Sequence, residues 1–257
     1  MDAHKPAEIA ALIETSGVGK ARLPTGQMLV LAILAGAFIG FGAAAYTMVM
    51  TGVDLGYGPS RLLGGVAFSL GLILVVVGGA ELFTGNALMV MATVDRLISV
   101  RRLLRNWTVV YIGNLIGASG LALAFGLSGL LDQGMGVTAV TLAQSKAALP
   151  VLNALVLGVM CNALVCLAIW LTFAARTVSG KILAILWPIS GFVLLGLEHS
   201  VANMYFFPQA WFAGAQISIS SALTNLAFVT LGNIIGGGLG VALAYRFAYL
   251  GSSGRAD

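Results

Sequence analysis

Six apolar stretches run along this chain, at roughly 27–51, 61–94, 104–131, 148–175, 181–208 and 217–249. Each contains the run of about 20 apolar residues that a helix needs to cross a hydrocarbon layer about 30 Å thick. The short alternating segments of a membrane β-barrel are missing. The pattern therefore predicts an all-α membrane protein with six transmembrane helices. Two of the six are interrupted. "GAELFTGN" (79–86) breaks the second and "GLEHSVAN" (196–203) breaks the fifth. Glycine and polar residues at these points predict two half-helices around a loop in each.

The interruptions share more than composition. Glycine, glutamate and asparagine recur at the same offsets, and Glu81 and Glu198 lie 117 residues apart. "GNLIG" (113–117) in segment three matches "GNIIG" (232–236) in segment six, 119 residues later. Two motifs in the same order at nearly one offset predict a duplicated three-span unit. An odd number of spans per unit inserts the second copy upside down, so the expectation is a 3+3 inverted repeat with broken helices 2 and 5. Its halves cover 27–131 and 132–250, flanked by an N-terminal tail or helix (1–26) and a C-terminal tail (251–257). In such folds the site lies near the midplane, where the broken helices meet.

Charge fixes the orientation. Only 9% of residues are charged, against about 25% in soluble domains. Lys5, Lys20, Arg22, Arg96, Arg101, Arg102, Arg105, Arg176, Lys181, Arg246 and Arg255 fall on one side of a six-span topology. Arg61 and Lys146 alone fall on the other, a split of 11 to 2. Basic loops stay inside, so both termini are expected in the cytoplasm, with the chain in the cytoplasmic membrane. The net charge of +4 follows from this loop bias and gives no reason to expect a nucleic-acid partner. The first 25 residues have no apolar core, so no cleavable signal is expected. "PAEIAALIETSG" between Pro6 and Gly17 reads either as an amphipathic helix lying on the protein or as a solvated tail. Cys161 and Cys166, five apart in one helix, point about 140° apart and do not pair.

Ionisable residues deep inside the spans are Glu81, Glu198 and His199, with Lys146 just before segment four. Such groups are costly in a bilayer and mark functional positions. The two glutamates are expected to fix their loops by accepting hydrogen bonds from loop N–H groups. His199 stands where the first half has Leu82, so the duplication is broken there. A histidine titrates near neutrality, which suits a small weak acid that crosses low dielectric more easily once protonated. Its alternative role is a hydrogen-bonded core histidine. Asn162, in "CNALVC", offers either uncharged donors to an anion or a bond between helices. Gly-x-x-x-Gly pairs at Gly36/Gly40, Gly113/Gly117, Gly232/Gly236 and Gly236/Gly240 permit close helix contact, within the chain or between copies.

"VVGGAELFTGN" (76–86), "GVMCNALVCLA" (158–168) and "GLEHSVANMYF" (196–206) together resemble the formate/nitrite transporter family, and the resemblance spans segments one to six. It implies a homopentamer of aquaporin-like protomers, each with its own pore. It implies a gating loop of Leu82, Phe83 and Thr84 and a central His199 able to protonate the anion. Lys146, Asn162 and Thr84 join His199 along the pathway. Hydrophobic constrictions come from Phe68 and Leu72 on one side of the histidine and Phe192 on the other, and Asn203 fixes its loop beside Glu198. Ala163 departs from the bulkier apolar residue common at that position. The implied activity is passage of small monovalent anions, formate foremost, with nitrite or hydrosulfide as alternatives, channel-like or proton-coupled. The partners are those anions, protons and membrane lipids. No enzyme activity, cofactor or metal is implied. A water or glycerol channel is a distant alternative, since neither break carries an Asn-Pro-Ala motif.

Overall fold

A computed structural model describes residues 3–251. The tail assigned to 251–257 thus lies outside the described residues except for Gly251, and Arg255 with it. The described residues are helical almost throughout. In chain order they form α1 (Pro6–Arg22), α2 (Thr25–Met50), α3 (Tyr57–Gly78), α4 (Val90–Val94), α5 (Val100–Leu127), α6 (Gly134–Ala147), α7 (Val151–Ala174), α8 (Val178–Leu195), α9 (Ser200–Phe212), α10 (Ile219–Ile234) and α11 (Ala244–Leu250). A 3₁₀ turn, Gly85–Met89, leads into α4. A nine-residue π-helical stretch, Ile235–Leu243, joins α10 to α11.

Six helices are long and apolar enough to span a membrane: α2, α3, α5, α7, α8 and the continuous run Ile219–Leu250. The two interrupted segments are α3 followed by the 3₁₀ turn and α4, and α8 followed by α9. Both first half-helices stop at a glycine in the left-handed region, Gly79 at φ +81° and Gly196 at φ +73°. A side chain there would be strained, so these glycines set where each helix breaks. The second half-helices differ. α9 has 13 residues, whereas α4 has five.

Close helix contacts hold the two halves in the same way. A Cβ on Gly117 would lie 1.9 Å from the Ile33 carbonyl oxygen, and one on Gly36 2.1 Å from that of Asn114. In the second half a Cβ on Gly232 would lie 2.2 Å from the Leu155 oxygen, and one on Gly236 2.0 Å from that of Val159. These glycines therefore seat α2 on α5, and α7 on α10 and the π-helical stretch that continues it, within one protomer. The run Gly236–Gly237–Gly238 also admits the wide π turns, since glycine imposes no side-chain crowding on a non-standard helix.

Each break exposes backbone N–H and C=O groups at membrane depth, where no water can satisfy them. One asparagine per half does so. Asn114 accepts from Phe83 N–H at 2.9 Å and donates to the carbonyls of Ala32 (2.8 Å) and Glu81 (2.9 Å). Asn233 accepts from Ser200 N–H at 2.9 Å and donates to the carbonyls of Gly158 (2.9 Å) and Glu198 (3.0 Å). The loop N–H groups expected to bind Glu81 and Glu198 are thus taken by asparagines from the third span of each half. An amide can accept and donate at once, and a carboxylate can only accept.

The N-terminal segment is a docked helix that runs past Gly17 to Arg22. Ile9, Ala10, Ile13, Gly17 and Ala21 are buried, and the first three share a cluster with Leu88, Met91, Trp170 and Val241. Trp170 stacks on Tyr245 at 4.0 Å between ring centroids. At the edge of this contact Glu14 meets Asp95, which is bound by Arg246 through Nε at 2.7 Å. Glu14 Oε1 is buried with no donor facing it. Burial, then the adjoining Asp95 carboxyl, push Glu14 up to about 7, while Arg246 and then Glu14 hold Asp95 below its ordinary value. A proton on Glu14 supplies the donor the pair lacks. Because docking raises the Glu14 value from 4.5, ionised Glu14 disfavours the docked helix. That penalty is complete above about pH 7 and gone below 4.5.

Two outcomes follow from these contacts. Asn114→Leu and Asn233→Leu each strand buried backbone groups, at about 1–3 kcal/mol per group. Each should lower the thermal midpoint in detergent by several degrees (on the order of ΔΔG over unfolding entropy), and an unchanged midpoint would contradict the clamp. Amide exchange within α1 should speed up, beyond its intrinsic pH dependence, as pH rises from 6 to 8. Glu14→Gln, whose amide donates to Asp95 at every pH, should remove that excess.

Candidate functional site

Two vestibules enter the protomer from opposite faces and stop at the broken helices. The one on the α6 face has a volume of about 190 Å³ and is lined by Phe68, Phe192, Lys146, Glu198 and His199, among others. The one on the α1 face has a volume of about 530 Å³ and is lined by Lys20, Glu81, Leu82, Val75 and Lys181, among others. His199 and Leu82, matched positions of the two breaks, therefore sit at the inner ends of opposite vestibules.

Each vestibule holds the same polar chain. On the α6 face Lys146 Nζ donates to Glu198 Oε1 at 2.7 Å, and Asn203 Nδ2 donates to Glu198 Oε2 at 2.7 Å and to Asn225 Oδ1 at 2.8 Å. On the α1 face Lys20 Nζ donates to Glu81 Oε1 at 2.6 Å, and Asn86 Nδ2 donates to Glu81 Oε2 at 2.8 Å and to Asn106 Oδ1 at 2.8 Å. Lys20 stands on α1 and Lys146 in the last turn of α6, which makes α1 and α6 structural counterparts. Asn86 and Asn114 lie within or beside motifs whose repetition is visible in sequence, and Asn106 and Asn225 share their offset of 119 with the GN pair. Lys20 gave no local signal, because its partner is 61 residues away and its charge reads as loop bias. The helix α6 was also missed. Its first residues, "GMGV", and its polar Thr138, Thr141, Gln144 and Ser145 blur the apolar periodicity of Met135, Ala139 and Ala143.

Between the vestibules His199 Nε2 meets Thr84 Oγ1 at 2.9 Å. The other ring nitrogen, Nδ1, accepts the Ala202 N–H at 3.1 Å and caps α9. That bond fixes the tautomer: Nδ1 is an acceptor, so the proton lies on Nε2 and points at the Thr84 hydroxyl. A cationic ring would have to surrender the cap and would face the positive end of α9. Asn162, 0% exposed, donates to Thr84 O at 3.1 Å and to Asn233 O at 2.6 Å. One amide proton thus ties the second half to the first break and the other ties α7 to α10, which is the bond-between-helices role.

Phe68 and Phe192 meet edge to face, 5.3 Å between centroids, and the Phe192 ring lies parallel to His199 at 6.0 Å. The expected placement on opposite sides of the histidine gives way to one aromatic pair on the α6 side. The reason is that α3 and α8 cross closely, with a Cβ on Gly65 only 2.7 Å from the Ser190 oxygen. Leu72, one turn further along α3, is buried at 1% exposure. Of the gating loop, Leu82 lines the α1-face vestibule and Thr84 meets His199. Phe83 is held between Tyr111 (4.9 Å) and Trp107 (6.1 Å), away from the two vestibules. Among the described residues no group of three His, Cys, Asp or Glu side chains could hold a metal ion.

This arrangement can admit a small anion from either face, remove its water between aromatic and aliphatic walls, and offer it neutral donors at the centre. Known proteins share the chain's length and fold. The formate/nitrite transporter family profile matches residues 7–247. An uncharacterized transporter, YrhG, of Bacillus subtilis is 43% identical over 250 residues, covering 96% of this chain and 94% of that one. The formate channel FocA of Escherichia coli is 37% identical over 268 residues, covering 95% and 94%. A solved structure described as a pentameric formate channel with formate bound superposes with a TM-score of 0.81 at 40% identity, covering 88% of this chain and 98% of that one. With six spans, two matched breaks and a family match over nearly its whole length, this chain belongs to the formate/nitrite transporter family.

Proposed function

We propose that this protein is a homopentameric formate channel of the cytoplasmic membrane, with one pore per protomer and with α1 and both termini in the cytoplasm. The observation that carries the reading is the neutral His199–Thr84 pair placed between two vestibules that each hold a lysine–glutamate pair. The identity of 37% to a formate channel over nearly the full length supports formate as the cargo. Nitrite, another small anion with two oxygens, fits the same groups. Hydrosulfide fits by size and charge. The loop bias of 11 basic residues to 2 supports the orientation.

The geometry suggests how an anion crosses. Lys146 and Lys20 raise the local anion concentration at the two mouths, each charge tempered by its glutamate. The Phe68–Phe192 pair then removes water, which is costly for a charged species. At the centre His199 Nε2–H and the Thr84 hydroxyl replace the lost hydrogen bonds. Complete transfer of the Nε2 proton to the anion would require Nδ1 to take up another. Nδ1 must first release the Ala202 N–H to do so. In the resting geometry His199 is thus a hydrogen-bond donor, and proton coupling through it requires the α9 cap to open.

His199→Asn retains a capping side chain but removes the donor to Thr84, whereas His199→Phe removes both. In proteoliposomes both variants should pass formate at least about tenfold more slowly, the cost of one charge-assisted hydrogen bond, with the oligomer intact by size exclusion. Unchanged formate uptake by both would remove His199 from the pathway.

A further inference from the structure

The lysines at both mouths are already neutralised. Lys146 lies 2.7 Å from Glu198 and Lys20 2.6 Å from Glu81. Each vestibule also holds one further cation that forms no ion pair among the described residues: Arg61 on the α6 face and Lys181 on the α1 face. Arg61 is the fifth residue of α3 and Lys181 the fourth of α8, the opening half-helices of the two breaks. Each mouth thus holds a cation outside any ion pair beside a paired one, although the two stand three positions out of the 117-residue register of the breaks.

Arg61 is held in place without a carboxylate partner among the described residues. Its Nη1 donates to the Tyr57 hydroxyl, and its guanidinium carbon lies 5.2 Å from the Tyr57 ring centre. Gly196 makes room for it, since a Cβ there would lie 2.4 Å from Arg61 Nη2. Its Nε is buried and has no acceptor. Nη1 is thus occupied, while the Nε/Nη2 edge has no acceptor among the described residues. That edge carries two parallel N–H groups, the geometry that grips two oxygens of one planar anion. It stands in the wall of the cavity that ends at His199.

We propose that Arg61 is the docking site for two-oxygen anions in the α6-face vestibule, gripping formate or nitrite side-on before they reach the aromatic pair. The inference rests on the anion-channel reading above and adds a preference of shape. An anion with one acceptor atom, such as hydrosulfide, can use the charge of Arg61 but not its fork. Glu198 lies in the same wall, but both of its oxygens are occupied, by Lys146 and Asn203, which limits its competition for the guanidinium.

The test compares formate and hydrosulfide uptake at varied concentration in proteoliposomes of wild type, Arg61→Lys and Arg61→Gln. Arg61→Lys keeps the charge and loses the fork. It should raise the half-saturating formate concentration about five- to tenfold, one charge-assisted hydrogen bond's worth, while maximal formate flux and hydrosulfide uptake stay at wild-type values. Arg61→Gln should weaken uptake of both anions. Arg61→Lys matching wild type for formate, or slowing both anions equally, would overturn the docking assignment and leave the channel reading standing. Wild-type vesicles that pass neither anion would overturn the channel reading and this one together. If Arg61→Gln fails to assemble, the formate-to-hydrosulfide contrast in Arg61→Lys decides alone.

Discussion

Everything in this molecule depends on satisfying a few backbone groups in the middle of a bilayer. Opening a helix there leaves N–H and C=O groups that lipid cannot bind, yet an uninterrupted helix leaves nowhere for an anion to stop. Asn114 and Asn233 resolve the conflict with one amide each. They reach from the third span of their half and close the break in the second with two bonds apiece, while a third ties each to the first span. The glycines that bring α5 onto α2 and α10 onto α7 are part of the same device, because the amides reach only if the helices nearly touch. Asn162 then ties the Thr84 carbonyl to the Asn233 carbonyl, so the two breaks form one rigid centre.

On that rigid centre the two halves diverge, and function enters through the divergence. The matched positions Leu82 and His199 give one break an aliphatic end and the other a polar one. His199 is neutral here because its own backbone neighbour uses Nδ1, so local geometry sets its chemistry as much as burial does. The π-helical stretch Ile235–Leu243 is a second departure, since its counterpart α5 is regular throughout. It lies against the first break, where a Cβ on Gly237 would meet Asn162 Nδ2 at 2.4 Å and Ala87 Cβ at 2.8 Å. A wider turn there lets the last span pass the midplane without crushing the loop.

Much of this was legible in the residues. The six spans, the two breaks and the duplication follow from apolar run lengths and from the paired GN and Gly-Glu-Asn motifs. The central place of His199 follows from its being the unmatched ionisable group. The partners of Glu81 and Glu198 followed only in part: Asn86 and Asn203 stand five residues on in the same motifs, but the lysines lie 61 and 52 residues away and the loop N–H groups are taken by Asn114 and Asn233 from remote helices, which nothing local records. Phe68 and Phe192 carry no sign of touching, since they are 124 residues apart in sequence and are brought together by the close crossing of α3 and α8 at Gly65, Ser69 and Ser190. Lys20 and Arg61 were hidden for a different reason. In a membrane protein a basic residue near a span end reports topology first, and topology accounted for both.

The equivalence of α1 and α6 alters what was duplicated. If Lys20 and Lys146 answer to each other, the ancestral unit began before the first span and ran for about 120 residues, from α1 through α5. A half-length ancestor of this kind could build a pore only by pairing with a copy of itself inserted the other way up. Such a chain would need nearly balanced basic loops, so that the membrane accepted it in both orientations. The present 11-to-2 imbalance is then a later acquisition. With the copies joined, each half holds the other's orientation, and the two matched positions can carry different residues, Leu82 and His199.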